Sequence, residues 1–128
     1  MTNMKFGHVQ YRIMKVLWAK ERANAREITD MLNETKPIAH STVQTLLRKL
    51  EEKRAVDHIR EDRTFIFFPL VKAEEATRSA VREIVDRIFS GSPKELVSYL
   101  LKNEPIDENE IRDIRGMIDA ADRKSTKK

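Results

Sequence analysis

Apolar residues recur along the first fifty positions at helical spacing. Val9, Ile13, Val16 and Leu17 fall on one face of a helix predicted over residues 8–20, with Met14 beside that face and Trp18 pointing away from it. Apolar side chains on more than one side predict cover on more than one side. A second helix is predicted to open at Asn24, an N-cap whose reciprocal partner is Glu27. Ala25, Ile28 and Leu32 form its stripe, and it closes before Lys36-Pro37 because the residue before a proline is pushed out of the α region. A third helix, over 39–53, places Val43, Leu46, Leu47 and Leu50 in one arc. At about 100° per residue, Ser41, Gln44, Thr45, Arg48 and Glu52 fall opposite that arc.

The period then changes. Residues 56–60 and 65–70, rich in β-branched and aromatic side chains, predict the two strands of a hairpin. The connection, Glu61-Asp62-Arg63-Thr64, lacks the glycine of the commonest two-residue turns, so a looser loop of about three to five residues is expected. Pro69 predicts a strand end or an edge there. From Lys72 the helical period returns, with Ala73, Ala76, Ala80, Val81, Ile84, Val85, Ile88 and Phe89 forming a broad stripe that Gly91 ends at the C′ position. Ser92-Pro93-Lys94-Glu95 opens another helix with an N-cap, a proline at N1 and an N3 carboxylate; it carries Leu96, Val97, Leu100 and Leu101. Asp107-Glu108-Asn109-Glu110 opens the last, with Ile106 and Ile111 as a hydrophobic staple and Ile111, Ile114 and Ile118 as its stripe.

The fold class is therefore mainly α with a small β-hairpin wing: a winged helix-turn-helix over 1–71, followed by a three-helix C-terminal dimerisation region over 72–128. With 128 residues there is room for one domain and an appendage. The chain carries a formal charge of +4. Residues 1–71 hold 13 Lys and Arg against 9 Asp and Glu, whereas 72–128 hold 12 of each, so the whole surplus lies in the N-terminal part. The basic end from Arg123 to Lys128 is expected to fray. There is no cysteine, hence no disulfide, thiolate metal site or Cys nucleophile. Met1 to Gly7 holds no apolar leader, and no apolar run approaches the roughly 20 residues of a membrane span, so a cytoplasmic protein with no direct membrane association is expected.

A hairpin directly after a helix-turn-helix is a wing, and a major groove admits one α-helix. The side chains expected to meet base edges are Ser41, Thr42, Gln44 and Thr45, on a face poor in glutamate until Glu52. Gln pairs bidentately with adenine, and Thr methyls touch thymine methyls. Arg48 suits a phosphate or a guanine, and Arg60 and Arg63 at the hairpin tip suit phosphates or the minor groove. The bland alternative is an ordinary solvated helix face and a solvated turn beside Glu61 and Asp62. His8, His40 and His58 make no helical metal pair, His40 and Ser41 point apart, and three glycines cannot build a phosphate-cradling loop, so no enzyme, metal or cofactor is expected. His40 suits a phosphate or solvent, and His58 and Trp18 suit packing roles. The C-terminal stripes exceed what three short helices bury among themselves, which predicts a homodimer. A protein-interaction winged-helix module, or one that senses a small ligand, are the other readings.

The stretch Arg12-Ile13-Met14-Lys15-Val16-Leu17-Trp18 resembles the first helix of the BlaI/MecI family of penicillinase and methicillin-resistance repressors. The run from Ala39 to Leu50 resembles its recognition helix, and Asp62-Arg63-Thr64-Phe65 its wing. Arg78-Ser79-Ala80-Val81 and Gly91-Ser92-Pro93 extend the likeness over roughly residues 6–120. The resemblance implies a dimeric repressor of palindromic DNA operators, with Ser41, Thr42, Gln44, Thr45 and Arg48 on the recognition helix and Arg63 on the wing. It also implies antibiotic-resistance regulation, in which a membrane-bound metalloprotease receptor leads to cleavage within the dimerisation domain. Three positions depart from the family pattern. Arg54 stands where a glycine often ends the recognition helix, and a left-handed backbone there costs about 1–2 kcal/mol. Tyr99-Leu100 replaces the usual Asn-Phe cleavage pair, and the cysteine cluster of a copper-responsive branch is missing.

Overall fold

The computed structural model describes residues 5–126. Met1 to Met4, part of the segment read above for a leader, and the final Lys127 and Lys128 lie outside them. The described chain forms α1 (His8–Lys20), β1 (Ala23–Asn24), α2 (Ala25–Asn33), α3 (His40–Glu52), β2 (Val56–Glu61), β3 (Thr64–Pro69), α4 (Ala73–Ile88), α5 (Pro93–Asn103) and α6 (Glu108–Thr126). This is a mainly α winged helix-turn-helix with further helices, as the periodicity predicts. The chain divides into two compact units, Met1–Ile84 and Val85–Lys128. That division falls within the span of α4.

In the first unit, the stripes of three helices meet. Ile13, Met14 and Leu17 of α1, Ile28 of α2, and Val43, Leu47 and Leu50 of α3 are buried, with Ala55, Val56 and Phe67 closing the core from the sheet side. Each Leu-sized side chain buried this way contributes roughly 1.5–3 kcal/mol. Trp18 packs against this core and donates its Nε1–H to the Val71 carbonyl at 2.8 Å. Its polar end therefore anchors the segment that leaves the sheet. Tyr11 meets Trp18 edge-on at 5.7 Å between ring centroids.

The sheet has three antiparallel strands in the order β1-β3-β2, so β3 is central. The two residues of β1, Ala23 and Asn24, pair with Phe67 and Ile66. Two residues carry no period, and neither alanine nor asparagine favours strands, so β1 is invisible in the sequence pattern. The hairpin connection also differs from expectation. Glu61 pairs with Thr64, leaving Asp62 and Arg63 alone as a two-residue turn. Asp62 takes a φ of 59°, doing the work of the expected glycine. A short polar side chain tolerates this left-handed region better than most.

Arg54 takes a φ of 64° after α3. Around it the Ala55 N–H donates to the Leu50 carbonyl at 2.9 Å, and the Arg54 N–H to that of Glu51 at 3.0 Å. This pair of bonds is the Schellman ending, with arginine in the position where glycine is usual.

In the second unit, α4 ends in two left-handed residues, Ser90 (φ 52°) and Gly91 (φ 81°), rather than at Gly91 alone. The Ser92 hydroxyl accepts from the Glu95 N–H at 3.2 Å, and Asp107 accepts from that of Glu110 at 2.8 Å, opening α5 and α6 as predicted. α6 runs through Arg123 to Thr126. Val85 is buried and Phe89 packs on Tyr99, but Ile88, Val97, Leu100, Leu101, Met117 and Ile118 remain exposed. No helix among the described residues is long and apolar enough to cross a membrane.

Candidate nucleic-acid interface

Polar contacts tie α1 to the end of α2, and α2 to the start of α3. Asn24 and Glu27 form the reciprocal cap of α2, each bond at 2.8 Å. At the other end of α2, one guanidinium nitrogen of Arg12 donates to the Leu32 carbonyl at 3.0 Å, to the Thr35 hydroxyl at 3.1 Å and to the Lys36 carbonyl at 2.9 Å. A cation at a helix C-terminus satisfies orphan carbonyls and opposes the negative end of the macrodipole. The Asn33 side chain then accepts from the Ile38 N–H at 2.7 Å, shaping the connection into α3.

His40 begins α3 and is half-buried rather than simply facing solvent. Its Nδ1 lies 2.9 Å from the buried Thr29 hydroxyl, which also bonds the Ala25 carbonyl at 2.8 Å. A hydroxyl has one hydrogen. The carbonyl can only accept it, so Nδ1 donates to Thr29 and the helices are latched together.

Ser41, Thr42, Gln44, Thr45 and Arg48 all lie exposed on α3, while Val43, Leu47 and Leu50 are buried beneath them. The Thr45 hydroxyl donates to the Ser41 carbonyl at 3.0 Å. Across from this face stands the wing. The register sets His58 opposite Phe67 and Arg60 opposite Phe65, so these four side chains share the sheet face toward α3. Phe65 is 47% exposed and stacks on His58 with centroids 4.3 Å apart.

Between α3 and the wing lies an open groove, lined by Gln44, Arg48, Arg60, Arg63 and Phe65 and, from α2, by Arg26. Of the residues predicted to bind, Gln44, Arg48 and Arg63 come together here. Ser41, Thr42 and Thr45 are exposed on α3 but do not line the groove. Arg26 carried no signal in the sequence, because only the packing of α2 beside α3 brings it to the groove.

Two acidic groups near the groove, Glu51 and Glu61, are engaged. Glu51, the one carboxylate lining it, lies 2.5 Å from His58 Nδ1. Glu61 at the wing is held by Arg22 at 2.6 Å, so it does not oppose the neighbouring arginines as an unpaired charge. Arg60 donates its Nε–H to the Asp62 carbonyl at 3.3 Å, which steadies it on the turn. Donor atoms of Glu51, Asp57 and His58 lie within 4.8 Å of one another, a set able in principle to hold a cation. Asp57 also accepts the His58 backbone N–H at 2.8 Å, so the three tie the end of α3 to β2 among themselves. A concave surface rich in unopposed guanidinium groups, beside a helix presenting hydroxyls and an amide, is suited to a polyanion with readable polar edges.

A family model described as penicillinase repressor matches residues 6–120. The penicillinase repressor of Staphylococcus aureus is 21% identical over 121 residues, covering 94% of this chain and 96% of that one. That of Bacillus licheniformis is 25% identical over 115 residues and covers 90% of each. The methicillin resistance regulatory protein MecI of Staphylococcus aureus is 21% identical over 114 residues, with 89% and 93% covered. Among solved structures, the DNA-binding domain of the repressor BlaI matches with a TM-score of 0.52 at 27% identity, over 58% of this chain and 90% of that one. A MarR family protein from Bacillus stearothermophilus shares the fold, with a TM-score of 0.51 at 16% identity over 97% and 78% of the two chains.

Proposed function

As a member of the penicillinase repressor family, this chain is a DNA-binding repressor and not an enzyme, and we propose that it binds a palindromic operator as a cytoplasmic homodimer. The observation that carries this reading is the exposed face of α3, where Ser41, Thr42, Gln44, Thr45 and Arg48 stand free of carboxylates, with Arg63 across the groove. In a major groove Gln44 would pair with a base edge, Ser41, Thr42 and Thr45 would touch bases or their methyls, and Arg48 and Arg63 would hold phosphates.

Dimerisation follows from energy as well as from surface. Each bidentate base contact supplies about 1–3 kcal/mol of discrimination, whereas specific binding exceeds non-specific binding by about 4–10 kcal/mol. One copy falls short, and a two-fold pair doubles the contacts at half-sites spaced by multiples of about 10 bp. In this reading residues 1–71 bind DNA and 72–128 dimerise. The exposed Ile88, Val97, Leu100, Leu101, Met117 and Ile118 support that assignment, since apolar surface of this extent marks an interface.

Release by proteolysis, through a membrane-bound metalloprotease receptor, would act at Tyr99-Leu100. Both side chains are exposed, at 52% and 41%, but the bond lies inside α5. Cleavage therefore requires that turn to unwind.

Selection of bound duplexes from a random pool tests the central reading. A two-fold consensus is expected, with Gln44→Ala relaxing one base position and Arg48→Ala weakening all sequences while flattening the salt dependence. Absence of duplex affinity above background at physiological salt would leave the protein-interaction module standing instead. Sedimentation of a monomer at micromolar concentration would refute the dimer, and an intact mass after exposure to the receptor and a β-lactam would refute cleavage.

A further inference from the structure

We infer that Arg26 is a DNA-backbone contact, and that the arginines of the groove it lines grip phosphates without reading sequence. This rests on the proposed DNA binding and divides the interface in two. Base reading falls to α3, to Gln44 within the groove and to Ser41, Thr42 and Thr45 outside it.

Four arginines reach the groove from three separate elements: Arg26 from α2, Arg48 from α3, and Arg60 and Arg63 from the hairpin. Arg26, Arg48 and Arg63 have no ion-pair partner among the described residues. Asp30 and Glu27 are near Arg26 in sequence, but Glu27 is committed to the cap of Asn24 and to Lys20 at 3.9 Å. The carboxylate of Glu51 is occupied by His58. Concentrated and unneutralised positive charge in one concavity is costly in a free protein and is relieved by a polyanion.

Arg26 itself stands on a different helix from the base-reading residues. Asn24 and Ala25 also line the groove, so the first turn of α2 opens onto it, and its backbone amides add to the field of Arg26. A helix that meets DNA by its first turn while the following helix occupies the major groove meets the backbone, not the base edges. Guanidinium contacts to phosphate carry affinity and register but no sequence information.

The test compares the full chain with Arg26→Ala and Arg26→Gln on two probes, a duplex recovered by selection and a random-sequence duplex of equal length. Both variants are expected to bind both probes about three- to tenfold more weakly, and the slope of log affinity against log salt should fall in magnitude by about 1. The ratio between the two probes should not change. An unchanged slope and affinity would overturn the inference, and so would an altered ratio, which would make Arg26 a base reader. Since Arg26 is exposed, folding is checked by circular dichroism, with Arg26→Gln retaining the side-chain length. Failure of the unmodified chain to bind either duplex would instead overturn the DNA-binding reading, and this one with it.

Discussion

Arg54 offers a clean test of how backbone strain is held in this fold. Its φ of 64° costs an L-residue about 1–2 kcal/mol. The strain cannot relax, because Leu50 before the turn and Ala55 and Val56 after it are all at most 1% exposed. Both bonds of the Schellman ending also require that conformation. Arg54→Gly removes the clash, while the greater freedom of glycine in the unfolded chain returns roughly 0.5–1 kcal/mol. The expected net gain is about 0.5–1 kcal/mol, or roughly 2–5 °C in Tm for a chain of this length. Urea and thermal unfolding, followed by circular dichroism and by Trp18 fluorescence at fixed protein concentration, measure it. Arg54→Ala is the control, since it removes the same charge and keeps the strain. Glycine should exceed alanine by about 1 kcal/mol, and Arg54→Val should fall below both, because a β-branched residue suffers more at positive φ. A glycine variant no more stable than the alanine variant would refute the strain.

Two other perturbations follow from polar contacts that span elements. Arg12→Ala strips three acceptors at the end of α2 and should cost about 1.5–3 kcal/mol by urea unfolding. Arg12→Lys should recover only part of this, and a full recovery would show that charge alone suffices there. Arg22→Ala frees the Glu61 carboxylate beside Arg60 and Arg63, so duplex affinity at low salt should fall about two- to fivefold with fold stability within about 1 kcal/mol of the original. The second change Glu61→Gln should restore the affinity. If it does not, neutralisation of Glu61 is not what Arg22 does for binding.

Much of the fold is local in origin and was legible in the residues. The stripes of α1, α2 and α3 become the observed core because side chains three and four apart share a helix face. Asn24, Ser92 and Asp107 open helices because each side chain reaches an amide only three residues on. A positive φ at Arg54 was signalled only by the family resemblance, in which a glycine often ends the recognition helix. Where local signals were weak, expectation and structure part. The two-residue turn at Asp62 needs no glycine once the two strands are paired up to Glu61 and Thr64.

The residue sequence by itself determined the order of helices, their caps, the wing, and which face of α3 is turned outward. Those properties depend on periods of two or 3.6 residues and on side chains bonding within one turn. Only the tertiary structure decided that β1 joins the sheet, that Arg26 shares a groove with Arg48, Arg60 and Arg63, and that Arg22, 39 positions before Glu61, takes up its charge. Such meetings arise when packed elements cross. Their partners lie tens of residues apart, and no local period links them.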